Sequence, residues 1–244
     1  MNFFDIEPAK PKPPVSLDDI YREAGFKKGK HLDESHDRSR LISIVCNKVV
    51  RPRIEKSKKK NWLIELTSQE TEYLSDFADR KVRAKDKENG SRDSYNRQTR
   101  ELTGAKAEYA SLKYYGVEEF FDDSITNQSF TKNHPDFKDA GVVLGTKSST
   151  PGLVPMVYKS TRAYIHNGFR YKCCDMITVV ENNTIYLLGI ATPSIMEIYA
   201  DSNLIRFADA PTKAGFWGME HLIDLPKSLD ELKTLCKENI VPVK

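Results

Sequence analysis

The apolar residues of this chain follow a helical period in its first half and a strand period in much of its second. Ser16 opens a short helical stretch, LDDIYREA, that ends near Gly25; serine caps the free N–H groups of a helix start, and glycine accepts the left-handed conformation beyond its end. Residues 40–50 (RLISIVCNKVV) are apolar, with no period that separates strand from helix. The apolar WLIEL is followed by Thr67-Ser-Gln-Glu70, a reciprocal cap in which the hydroxyl caps the new helix and the glutamate reaches back. That helix carries Tyr73, Leu74, Phe77, Ala78 and Val82 on one face. Its highly charged tail holds Asn89-Gly90 and reads as a loop or arm. Helix resumes near Thr103, with Ala105, Ala107, Ala110, Leu112 and Tyr115 toward the packing side and Gly116 as a stop. Residues 117–138 are aromatic and polar without a period. Strands are predicted over 141–146, 154–158, 175–180 and 184–190, the last two joined in a hairpin through Glu181, Asn182 and Asn183. Ser228 caps a closing amphipathic helix over 228–239, with Glu231 three positions on. Helices followed by a run of strands predict an α+β or mixed α/β fold.

Charge changes this picture mainly through its distribution. A net charge of +3 excludes a polycation. Residues 48–60, however, hold seven basic side chains against the single acid Glu55, and residues 80–100 hold eight against three. The first hundred residues therefore offer a phosphate-attracting face, with Lys58, Lys59, Lys60, Arg83, Lys85 and Arg92 as candidate nucleic-acid contacts. The other reading of the run to Lys60 is a solvated linker. Residues 1–15 contain four prolines and read as an extended leader with Phe3 and Phe4 as a small anchor. The expected organisation is a partly extended, basic N-terminal extension over 1–60, a main domain over 61–225, and a C-terminal helix and tail over 226–244. Cys46, Cys173, Cys174 and Cys236 form no CxxC pair, which predicts reduced thiols in a cytoplasm. No apolar run approaches the ~18–20 residues of a membrane span, so no membrane partner is expected.

Candidate chemistry gathers between Glu101 and Lys147. Asp139, Gly141, Val143, Gly145 and Lys147 are separated by twos and share a face if the strand is regular; Val142, Leu144 and Thr146 share the other. A face of glycines, an acid and a lysine suits close approach by a ligand. Carboxylate oxygens suit Mg²⁺, with Mn²⁺ as an alternative, and an adjacent lysine can neutralise developing phosphorane charge or orient a water. Glu108, on the inward side of a small-residue helix, would complete the set. His31, His36, His134, His166 and His221 show no ligand spacing. Gly215-Phe-Trp-Gly218 reads as a tight aromatic turn packing the core or as a base-stacking platform. Ser148-Ser-Thr150 reads as a strand-end turn or a phosphate-binding set of hydroxyls.

Residues from about Trp62 to His221, roughly two thirds of the chain, resemble a set of phage-encoded proteins of the PD-(D/E)XK nuclease superfamily. The resemblance rests on Leu66, Thr67, Glu70 and Arg80; on GAKAEYASLKYYG with Glu108 at the acidic position; on Asp139 and Lys147 around a strand; and on CDMITVVENNTIYLLGIATPSI. It implies a restriction-endonuclease-like mixed β-sheet flanked by helices and Mg²⁺-dependent cleavage of DNA, with RNA open as substrate, in the cytoplasm of a host. Glu108, Asp139 and Lys147 are then the catalytic residues, and Glu108 and Asp139 the metal ligands, with Asp136, after Pro135, as the alternative acid. The superfamily places Asp or Glu two residues before the lysine, where this chain has Gly145. Asp122, Asp123, Asp136 and Asp175 are the acids that remain to fill that role. Two other readings are a non-catalytic nucleic-acid-binding protein on the same fold and a phage protein acting on a host or phage protein through its N-terminal extension.

Overall fold

The computed structural model describes residues 16–27, 35–89, 94–121, 136–158, 164–166, 169–201, 204 and 213–242. Helix α1 (Leu17–Ala24) is capped by the Ser16 hydroxyl, which accepts from the Asp19 N–H at 3.1 Å, and it ends at Gly25 with φ +80°. Leu17, Ile20, Tyr21 and Ala24 are its buried face. Helix α2 (Ser35–Val45) runs through a wide π turn (Cys46–Val50) into α3 (Arg51–Lys60). The ambiguous stretch 40–50 is therefore helix, burying Leu41, Ile42, Val45, Cys46, Val49 and Val50. The π turn ends two residues before Pro52. Proline has no N–H for the carbonyl four residues back, and a widened turn with Arg51 N–H donating to Cys46 O carries the helix past it.

Strand β1 (Leu63–Glu65) lies within WLIEL, and the Thr67–Glu70 cap forms as expected, opening α4 (Ser68–Asn89). Helix α5 (Ser94–Tyr114) follows. The charged tail expected as a loop is thus mostly helical, because Lys, Arg and Glu are strong helix formers even without an apolar stripe. The strands are β2 (Leu144–Ser149), β3 (Met156–Tyr158), β4 (Tyr164–His166), β5 (Phe169–Lys172), β6 (Cys174–Glu181) and β7 (Thr184–Ala191). Then come α6 (Pro193–Ile198), β8 (Ala200–Asp201), β9 (Lys213–Phe216), α7 (Leu229–Glu238) and β10 (Val241–Pro242).

The central sheet has the order β1-β7-β6-β2, with β2 parallel to β6 and the other neighbours antiparallel. The architecture is a mixed sheet flanked by helices, as the α+β reading requires. Asn182, at φ +57°, turns β6 into β7. The buried Lys106 of α5 ties that turn down by donating to Asn182 O at 2.8 Å and Asn183 Oδ1 at 3.0 Å.

Alternation along the strands divides the core in two. Cys174, Met176, Ile185, Leu187 and Leu144 face α4, α5 and α7. Ile177, Val179, Tyr186 and Leu188 face α1, α2 and the π turn. Helices α1 and α2 and the π turn, which fall within the N-terminal extension expected over 1–60, therefore supply the apolar layer on one face of the sheet. Arg53 of α3 is buried, donating to Leu188 O, to Leu222 O at 3.2 Å and to Asp224 at 3.1 Å. It sits against the register shift of β7, where Gly189 has φ +134° and a Cβ would come within 2.5 Å of Ile223 O. Residues 1–15, with Phe3 and Phe4, lie outside the described residues.

Candidate active site

The site is built at the outer edge of the sheet, on β2. This strand begins at Leu144, three residues later than its predicted start, because residues 138–140 form a 3-10 turn closed by Gly141 at φ +73°. The turn is pinned by fully buried Phe137, whose N–H donates to Leu144 O at 3.2 Å and whose carbonyl accepts from Val142 N at 3.1 Å. The every-second-residue relation from Asp139 to Lys147 is thereby broken, and Asp139 does not share a strand face with Lys147. It projects from the turn, about half exposed, with Lys138 Nζ at 3.9 Å. That expectation is corrected: the acid beside the strand is Asp136, two residues before the turn begins.

Asp136 accepts a hydrogen bond from the Thr146 N–H on the free edge of β2. Burial raises its carboxyl above the usual range; Lys147, the Thr146 N–H and Lys81 act in the opposite direction, and Asp175 adds to the rise. It therefore lies in the field of groups contributed from both faces of the sheet.

On β2 itself, Gly145 and Lys147 point to the α1–α2 face. Lys147 Nζ stands 3.0 Å from Asp175 Oδ1, with side-chain exposures of 14% and 5%. Parallel pairing explains the meeting, since Gly145 is the register partner of Asp175. A carboxylate from the neighbouring strand thus stands level with the position where the acid–x–lysine pattern lacks one. Lys147 Nζ also donates to Thr146 O at 3.2 Å, and Thr178 Oγ1 to Lys147 O at 3.4 Å.

The other half comes from the opposite face. Glu108 is half-buried on α5, and Lys81 of α4 pairs with Glu101 at 3.2 Å. Burial lowers the Lys81 proton affinity, but Glu101, Glu108 and Asp136 outweigh it and leave the pKa raised. The structure thus brings Asp136, Lys147 and Asp175 together, while Glu108 lies on α5 over the other face of the sheet, within electrostatic reach of Lys81. Among the described residues, no group of three or more His, Cys, Asp or Glu side chains is arranged to hold a metal ion.

Sequence reasoning passed over Lys81 and placed Asp175 only among the acids that could replace the missing one. Asp175 had a signal: an acid at the start of an otherwise apolar strand, CDMITVVE. Lys81 lies at the helical spacing of Phe77, Ala78 and Val82, which is an inward position for a charge. Asp122, Asp123, Arg92 and His134 lie outside the described residues, as does the side chain of Lys85.

The basic residues are only partly available. Lys58 pairs with Glu55 at 2.8 Å, and Lys56 pairs with Asp224. Lys59, Lys60 and Arg83 are exposed. Gly215-Phe-Trp-Gly218 is buried, with Tyr199 edge-on to Trp217 at 4.9 Å, so it packs the core. His221 stacks on Tyr199 at 4.1 Å. No described helix is long and apolar enough to cross a membrane. Comparison of the chain with known protein families, with curated proteins and with solved structures found no match in any of the three.

Proposed function

We propose that this protein is a nuclease that hydrolyses phosphodiester bonds of DNA with Mg²⁺, and that its working acids are Asp136, Asp175 and Glu108 rather than Asp139. The observation that carries this reading is the Lys147–Asp175 pair, nearly buried at 3.0 Å, with Asp136 beside it at the strand edge. A buried ion pair adds little stability over apolar side chains of similar size, so a second acid crowded against it calls for a chemical reason.

The donors are of the type that a hard divalent cation takes, although no three of them converge among the described residues. All the candidate donors are carboxylate oxygens, and Asp175 disfavours the charged form of Asp136, a repulsion that a cation would relieve. Asp136 and Asp175 would hold it, and Glu108 would have to move in from α5 to join them. Bound Mg²⁺ supplies Lewis acidity toward the phosphate and lowers the pKa of a coordinated water. The Lys147 ammonium, fixed by Asp175, is placed to neutralise charge on the phosphorane oxygens; a preorganised charge of this kind is typically worth ~10²–10³ in rate. Lys59, Lys60 and Arg83 would hold flanking phosphates. The four cysteines are free and buried, which fits a cytoplasmic setting.

A second reading is a non-catalytic nucleic-acid-binding protein on the same fold. It is favoured by Gly145 and by the separation of Glu108 from Asp175 across the sheet. Purified protein assayed on single- and double-stranded DNA and on RNA, with Mg²⁺, Mn²⁺ or chelator, separates the two. The nuclease reading expects metal-dependent cleavage of DNA. Salt-sensitive binding without cleavage under any metal would replace it with the binding reading.

A further inference from the structure

Helix α2, the π turn and α3 follow one another without a break from Ser35 to Lys60, and the two sides of this long helix differ in kind. One side is buried against the sheet. The other is exposed at Arg40, Ser43, Asn47, Arg51, Glu55 and Lys59, at steps of three or four residues, which keeps these side chains on one face. At ~1.5 Å per residue that face runs about 28 Å from Arg40 to Lys59. Between Arg40 and Lys60 the helix holds a single acid, Glu55, and Lys58 pairs with it at 2.8 Å. Lys48 is taken up by Glu23, and Arg53 and Lys56 by Asp224. Arg40, Arg51, Lys59 and Lys60 are left exposed, with no ion pair to any described residue. The exposed large apolar side chains among the described residues, Tyr73, Phe120, Ile198 and Val241, all lie elsewhere.

We propose that the outer face of this helix is a nucleic-acid docking track, in which Arg40, Arg51 and Lys59 neutralise backbone phosphates while Ser43 and Asn47 donate to phosphate oxygens between them. Docking of this kind rests on the nucleic-acid half of the function proposed above, where Lys59 already holds a phosphate, and adds Arg40, Ser43, Asn47 and Arg51 to it. It holds whether or not the protein cleaves. The chemistry selects the partner. A protein partner is met through an apolar centre, which this face lacks, whereas nucleic-acid interfaces are polar and strongly positive. Duplex DNA carries one negative charge per ~1.7 Å of its axis, so phosphates recur often enough to meet cations spread along the face. Ser43 and Asn47 are short, and they let a sugar–phosphate backbone approach the helix between the longer cations. The face looks away from the sheet, so the track lies outside the Lys147–Asp175 pair.

The test is binding of a labelled DNA duplex to full-length protein, followed by fluorescence anisotropy across a salt titration, with chelator present so that nothing is cut. Arg40→Gln combined with Arg51→Gln should make the slope of log binding constant against log salt shallower by about two, at ~0.9 per phosphate released. Arg40→Lys with Arg51→Lys keeps both charges and should keep the slope. Asn47→Asp sets an acid in the middle of the track and should weaken binding at least about fivefold by repelling phosphate. Lys233→Gln with Lys237→Gln removes the same charge from α7 and should leave binding within about twofold of wild type. If the Arg40 and Arg51 pair fails to fold by circular dichroism, Asn47→Asp alone carries the test. A glutamine pair that matches wild type, or that loses no more than the α7 control, overturns the track and leaves nucleic-acid binding to other residues. Competition by poly-glutamate as effective as by unlabelled DNA of equal charge also overturns it, assigning the face to an acidic protein. Wild type that binds no duplex overturns both the track and the nucleic-acid reading beneath it.

Discussion

Lys147 and Asp175 separate chemical value from stability value, and a mutant series can show it. Lys147→Met deprives a 5%-exposed carboxylate of its ammonium; breaking a buried pair this way typically costs ~3–5 kcal/mol. Lys147→Met combined with Asp175→Leu removes both charges, and its stability should return to within about 1–2 kcal/mol of wild type. Chemical denaturation of the two variants measures this, while cleavage should be lost in both. A double variant as unstable as the single one would mean that the pair is held for packing or by further partners. The same scale explains one failure of sequence reasoning. Asp139 and Asp136 are the same residue type three positions apart, and the 3-10 turn closed by Gly141 in the left-handed conformation places Asp136 rather than Asp139 beside the strand. Strand alternation predicts faces only where the strand exists.

At the scale of elements, α4 and α5 are joined by a polar tie that sets a pH dependence. Glu70 accepts from Lys113, from the Thr67 N–H and from Tyr109 at 3.0 Å. Burial pushes its carboxyl up, but these donors outweigh it and hold the pKa down at about 2. A folded pKa below the ordinary value of 4.5 stabilises the protein above that value and loses its effect as pH falls toward 2. The contribution is on the order of 2–3 kcal/mol. Melting temperature should therefore fall between pH 5 and 2 more steeply in wild type than in Glu70→Gln, which should be less stable at pH 7. Parallel curves would remove the tie from the account. The reciprocal cap at Thr67 and Glu70 was legible in four residues of sequence because capping is local. The helical identity of residues 40–50 was not, because their buried face is set by a cluster with residues distant in sequence, from Leu17, Ile20 and Tyr21 of α1 to Met219 and Leu222.

Across the whole molecule, the sheet explains both what could be read and what could not. The β6–β7 hairpin and the closing helix α7 follow from local turn and cap chemistry. The role of Asp175 depends on parallel pairing between β2 and β6, which carries no signature in periodicity because the partners are thirty residues apart. The basic surface also needed the fold, since Arg53 is consumed inside it while Lys59 and Lys60 stay on the last turn of α3. Replacing Lys59 and Lys60 with alanine should reduce the slope of log binding constant against log salt by about one for each phosphate that these lysines neutralise. An unchanged slope would leave the end of α3 as a solvated surface. The most direct test of the central claim, that the working acid stands at Asp136 on the edge of β2, is the single-turnover rate of Mg²⁺-dependent DNA cleavage by Asp136→Asn and Asp139→Asn beside wild type. The account predicts a loss of ~10²–10³ for Asp136→Asn and a change within about twofold for Asp139→Asn. A large loss in Asp139→Asn with Asp136→Asn near wild type would contradict it.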